Sequence, residues 1–104
     1  MPRIEGEVSV MVVPAKDSLD EITVFWQDFK PGAGRVTLTC YGEAWTAGFW
    51  AMGNSTIQEF FQQASWDYLV NKLSYGQHMR NNKGTTDYLS RIVKAIKGAL
   101  NVPR

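Results

Sequence analysis

The spacing of apolar side chains changes period once along this 104-residue chain, near two before Gly53-Asn54-Ser55 and near 3.6 after it. A period of two belongs to strands with one buried face, and a period of 3.6 to helices with a buried stripe. The switch predicts a run of strands followed by a run of helices, which is an α+β order. A chain this short builds one core, so residues 1–104 are expected to form a single domain with strands within 7–51 and helices within 55–100. Hydrophobic residues make up 44% of the chain, which excludes a disordered segment.

In residues 7–13, Val8, Val10 and Val12 alternate with Ser9, Met11 and Val13, and Pro14 removes the next ladder donor. Asp17-Ser18-Leu19-Asp20 reads as a turn. Residues 21–29 set Ile22, Val24 and Trp26 on one face against Thr23, Phe25, Gln27 and Phe29 on the other, so both faces are partly apolar and the strand is expected to be central. Lys30-Pro31-Gly32-Ala33-Gly34 is the strongest turn, because proline presets φ and glycine then supplies a positive φ. Residues 35–41 return with Val36, Leu38 and Cys40 opposed to Arg35, Thr37, Thr39 and Tyr41. Residues 43–51 could be a strand or a buried helix; Gly42, Gly48 and Gly53 disfavour the helix, and a fourth strand is expected. The result is a four-stranded antiparallel β-meander with two or three helices packed on one face.

Ser55 with Gln58 three residues on predicts a capping box. Ile57, Phe60, Phe61 and Ala64 form the stripe of the helix it starts, and Ser65 can cap a continuation carrying Trp66, Leu69, Val70 and Leu73. Residues 74–84 read as a polar loop. Thr85 or Thr86 is the expected cap of a last helix with Leu89, Ile92, Val93, Ile96 and Leu100 at i, i+3, i+4, i+7 spacing.

Signals for catalysis are weak, and no catalytic, cofactor-binding or metal residue is assigned. One cysteine and one histidine can build neither a disulfide nor a structural zinc set. Cys40 falls on an apolar strand face with no base beside it, and His78 lies in the polar loop with no evident orienting partner. The glycines after Pro31 join two strands rather than a strand and a helix, so they form a hairpin and not a phosphate cradle. Asp17, Asp20 and Glu21 lack the spacing of a calcium loop and read as a solvated acidic turn. The N-terminus has no signal-peptide core and no apolar run is long enough to cross a bilayer, so a cytoplasmic location and no membrane partner are expected.

Two features bear on partners. Residues 1–67 carry 4 basic and 9 acidic side chains, whereas residues 68–104 carry 7 basic and 1 acidic. Lys72, Arg80, Lys83, Arg91, Lys94 and Lys97 could thus form a basic patch on the helical side, either a solvated face or a nucleic-acid-binding one. Separately, Tyr41, Trp45, Phe49 and Trp50 crowd one short segment at both strand parities. These rings either fill a small core or leave an exposed aromatic cluster of the kind found at protein interfaces and homodimers.

The segment Val24-Phe25-Trp26-Gln27-Asp28-Phe29-Lys30-Pro31-Gly32-Ala33-Gly34-Arg35-Val36-Thr37-Leu38, followed by Tyr41-Gly42-Glu43-Ala44-Trp45-Thr46, resembles a group of small uncharacterised proteins of lambdoid phages and enterobacterial prophages. Met52-Gly53-Asn54-Ser55-Thr56-Ile57, Tyr68-Leu69-Val70 and Tyr88-Leu89-Ser90-Arg91-Ile92 resemble the same group. The resemblance covers about residues 21–100, with residues 1–20 outside its pattern. It implies no reaction, cofactor or site residue. By analogy it implies a small non-enzymatic accessory protein of the bacterial host cytoplasm that binds a host or phage protein through Tyr41, Trp45, Phe49 and Trp50. Nucleic acid bound by the basic helical side is the alternative.

Overall fold

The computed structural model describes residue 2 and residues 8–75 and 83–101. Four strands, β1 (Val8–Val13), β2 (Ile22–Lys30), β3 (Ala33–Cys40) and β4 (Glu43–Phe49), precede three helices, α1 (Ile57–Gln63), α2 (Trp66–Tyr75) and α3 (Lys83–Leu100). The sheet is antiparallel throughout in the order β1-β2-β3-β4, so the α+β meander expected from the change of period is the observed fold. β1 joins the sheet as an edge strand beside β2, which is central as its two apolar faces predict. The region after β3 is a strand, not a helix.

Short turns hold the meander. Only Pro31 and Gly32 separate β2 from β3, with Gly32 at φ +83°. Tyr41 and Gly42 link β3 to β4, both at positive φ (51° and 78°), as a two-residue turn that follows the right-handed twist of the strands requires. Asp17 and Ser18 repeat the device at φ 51° and 68°, closed by reciprocal backbone bonds of 3.0 and 2.9 Å between Lys16 and Leu19.

Register decides which side chains go inside. Trp26, Val36 and Ala47 lie abreast, as do Val24, Leu38 and Trp45, and these rows face the helices. Against them pack Ile57 and Phe61 of α1, Leu69, Val70 and Leu73 of α2, and Leu89, Ile92, Val93 and Ile96 of α3, all buried. Trp26 meets the Phe61 ring edge to face, centroids 5.3 Å apart at 81°.

Three helix boundaries differ from expectation. The N-cap of α1 is Thr56 rather than Ser55: its hydroxyl accepts from the Glu59 amide at 3.2 Å, and the Glu59 carboxylate accepts from the Thr56 amide at 2.9 Å. Both Ser-x-x-Gln and Thr-x-x-Glu occur here, and the carboxylate suits the positive helix end better than an amide. Asp28 of β2 reinforces this end by accepting from the Ile57 amide at 2.8 Å. Thr85 and Thr86 lie inside α3 rather than capping it, because the helix already runs from Lys83. The expected loop at 74–84 is also shorter at both ends, with Ser74 and Tyr75 in α2 and Lys83 and Gly84 in α3; residues 76–82 lie outside the described residues. Ser74 stays helical with its hydroxyl donating to the Val70 carbonyl at 2.9 Å.

The C-terminal end of α1 is held by Lys97 of α3, whose Nζ donates to the carbonyls of Phe61 (3.0 Å), Gln62 (2.7 Å) and Ala64. A cation there satisfies orphan carbonyls and opposes the negative helix end. Partial burial lowers the Lys97 pKa from the ordinary lysine value. Lys97→Met keeps the stem and removes the ammonium, and should cost about 2 kcal/mol, the scale of hydrogen bonds to a charged donor. Urea unfolding measures this; an unchanged midpoint would show the three bonds to be energetically idle.

Candidate interaction surface on the open sheet face

All three helices lie on one side of the sheet, and no described element covers the other. Its rows follow from the register: Val10, Phe25, Thr37 and Thr46 lie abreast, as do Val8, Gln27, Arg35 and Gly48, and Val12, Thr23, Thr39 and Ala44. Val8, Val10 and Val12 are about half exposed on the edge strand. The threonines tie the middle of the face together, with the Thr37 and Thr46 hydroxyls 2.9 Å apart. A shallow concavity of about 480 Å³ lies over Val8, Phe25, Gln27, Arg35, Thr37 and Thr46.

At one end of this face is an ordered aromatic stack. Phe29 and Trp50 lie with centroids 5.3 Å apart and planes 9° from parallel, and the Trp50 ring lies across Gly48, at 3.5 Å from where a Cβ would be. The Arg35 guanidinium sits 5.4 Å from the Phe29 centroid while donating to the Gln27 side chain at 2.9 Å. Trp50 is nonetheless 70% exposed, so the stack orients it without burying it.

The four aromatic residues singled out from sequence separate. Trp45 and Phe49 are 2% and 6% exposed and belong to the core, which corrects their assignment to an exposed cluster. Pairing with Leu38 and Gly34 respectively puts them on the helical face, where Trp45 meets Tyr88 and Phe49 meets Phe60 and Tyr68. Tyr41 (80% exposed) and Trp50 remain on the surface, at opposite ends of β4, and are not brought together. Sequence reasoning did not single out Phe29, Phe25 and the valines of β1. Their signal was parity: once Ile22, Val24 and Trp26 are inside, Phe25 and Phe29 must be outside.

The described basic residues of the expected patch are each engaged by a neighbouring group. Lys97 is half-buried at the end of α1, which removes it from any solvent-facing patch. Lys94 Nζ lies 4.1 Å from the Trp66 ring centroid, Lys72 Nζ lies 5.6 Å from that of Tyr68, and Arg91 donates to the Asp17 carbonyl at 2.8 Å. Lys83 opens α3, its side chain lying outside the described residues together with Arg80 and His78.

Cys40 is buried, and its sulfur accepts from the Tyr88 hydroxyl at 3.3 Å. That bond, then burial, pushes the Tyr88 pKa up to about 12. Asp67, at the start of α2, is held below the usual carboxylate value by the Ser65 hydroxyl. Among the described residues no three His, Cys, Asp or Glu side chains converge as a metal site, and no helix is long and apolar enough to cross a membrane.

No match was found among curated proteins or among solved structures. The sequence model of the phage family Phage_phiTE_072 matches residues 1–101, and therefore includes β1, which the resemblance drawn from sequence had left outside. With nearly its whole length matched, the chain belongs to this phage family.

Proposed function

We propose that the protein is a non-enzymatic accessory protein of a phage or prophage, of lambdoid and enterobacterial kind, which acts in the host cytoplasm by binding a host or phage protein through its open sheet face. The observation that carries this reading is the Phe29–Trp50 stack, a large exposed ring held in one orientation beside an arginine. Trp and Arg supply a disproportionate share of interface energy, and a preoriented ring loses little freedom on binding. The valine rows and threonines of β1 to β4 extend that anchor into an apolar face with a polar rim. The rows of the open face carry a single charged side chain, Arg35, so the face suits a largely uncharged protein surface better than a phosphate backbone.

Tagged protein is used to capture partners from an enterobacterial lysate with and without nuclease, comparing wild type with Trp50→Ala. The expected result is a nuclease-resistant protein partner whose recovery falls at least about tenfold in the variant, the scale of a lost hot spot. Recovery that disappears with nuclease overturns the reading in favour of nucleic acid. A concentration-dependent dimer dissociated by Trp50→Ala, with no other protein recovered, would replace the foreign partner by a second copy of the chain.

A further inference from the structure

A second concavity lies on the opposite side of the molecule, between α3 and the connection from β1 to β2, with a volume of about 690 Å³. Its floor is apolar, made by buried Ile22 and half-buried Val13 and Leu19. The α3 wall consists of Ala95, Gly98 and Ala99, whose i, i+3, i+4 spacing sets them on one strip along the helix axis. Lys16, Arg91 and Lys94 stand on the rim against a single carboxylate, Asp17.

Gly98 is unexplained by the fold. A Cβ added there would meet nothing within 4 Å, and its φ is not in the left-handed region, so neither packing nor backbone strain requires glycine. Glycine within a helix costs roughly 0.5–1 kcal/mol relative to alanine. What its absent side chain leaves is open access to the α3 backbone along the wall of the groove, the condition for close approach of another element.

From this geometry and charge we infer that the groove is a docking site for an acidic amphipathic helix of a partner protein. The valley runs along a helix axis and is floored by small and apolar side chains, which suits the apolar stripe of a second helix. Its rim carries three cations to one anion, so the flanks of the incoming helix should be acidic. The rim is held in place: Arg91 is tied to the Asp17 carbonyl and Lys94 rests over Trp66, and both contacts leave the positive charge intact. A second copy of this chain is a poor occupant by way of the same strip, since pairing the strip with itself sets two cation-rich rims against each other. Nucleic acid is a poor occupant because its phosphates gain nothing from the apolar floor. This inference does not depend on the open-sheet reading, which concerns the other face.

The test uses the full chain against a display library of short helical peptides randomised on their surface, with the selected peptides synthesised, labelled and titrated by fluorescence anisotropy. Acidic amphipathic sequences should be enriched, and their amide-shift footprint on the wild-type protein should centre on Leu19, Ala95, Gly98 and Ala99. Gly98→Trp, which fills the valley where nothing else stands, should weaken them at least about tenfold, and Lys16→Glu/Lys94→Glu should weaken them with loss of salt dependence. Trp50→Ala should leave them unchanged, so failure here and failure of the open-sheet reading are separable. Basic or non-helical winners, a footprint elsewhere, binding that survives Gly98→Trp, no enrichment, or self-association through the strip would each overturn the proposal. Wild-type footprinting decides the matter even if Gly98→Trp were to lose its fold.

Discussion

Trp45→Ala should lower the stability of the protein by about 3–5 kcal/mol, the usual cost of truncating a large buried aromatic, whereas Trp50→Ala should change it by no more than about 0.5 kcal/mol. The two tryptophans are five positions apart on and beyond the same strand, and composition does not distinguish them. Trp45 is packed between Leu38 of the neighbouring strand and Tyr88 of α3, 6.0 Å between ring centroids, and its removal leaves a cavity that a sheet and a helix cannot close together. Trp50 leaves the sheet on the opposite side and loses only its contacts with Phe29 and Gly48. Urea unfolding of both variants decides it. Reversed costs, with Trp50→Ala the more damaging, would mean that the sheet has the other face inside, and the open-sheet surface would go with it.

The second large effect is expected at Gly32. A Cβ there would lie 2.3 Å from the Gly53 carbonyl oxygen, a backbone atom with no side-chain freedom to yield, and Gly32 is also at φ +83°. The same neighbourhood holds the bond from the Met52 amide to the Gly32 carbonyl at 2.9 Å, which ties the segment after β4 to the β2–β3 turn. Gly32→Ala must therefore break that tie as well as strain the turn, and should cost more than about 3 kcal/mol. Gly42→Ala is the control, with a similar φ of 78° and nothing within 4 Å of the added Cβ, so only the conformational cost of about 1–2 kcal/mol applies. Gly98→Ala, free of both penalties, should instead stabilise α3 by up to about 1 kcal/mol. That three-way order, read from thermal or urea unfolding, separates a steric clash from backbone strain and both from plain helix propensity. Equal effects at Gly32 and Gly42 would show that the chain relaxes around Gly53.

Much of this protein was legible before its structure. The parity of residues 22–26 and 36–40 named the inward faces of β2 and β3, since alternation in a strand is a geometric necessity. The 3.6 spacing of Leu89, Ile92, Val93 and Ile96 named the buried stripe of α3 in the same way, and Pro31-Gly32 named the turn from β2 to β3. Helix starts were less legible, because Ser55 and Thr56 both begin a capping pattern and only the meeting of Thr56 with Glu59, beside Asp28, selects one.

The candidate surface was legible only in part. Tyr41, Trp45, Phe49 and Trp50 looked alike as a cluster, but which ring faces the helices depends on the pairing of β3 with β4, a non-local contact that no local pattern encodes. The cations differed in the same way. Lys97 reads as an ordinary off-stripe lysine until α3 lies against the end of α1, and only then does its ammonium find three carbonyls. Local chemistry, through period, turn residues and size, determined the elements, their order and their inward sides. Tertiary structure alone decided which rings of the aromatic cluster reach solvent, which cations are consumed inside the fold, and that a groove opens beside Gly98, because each depends on what distant segments bring against a residue rather than on its neighbours in the chain.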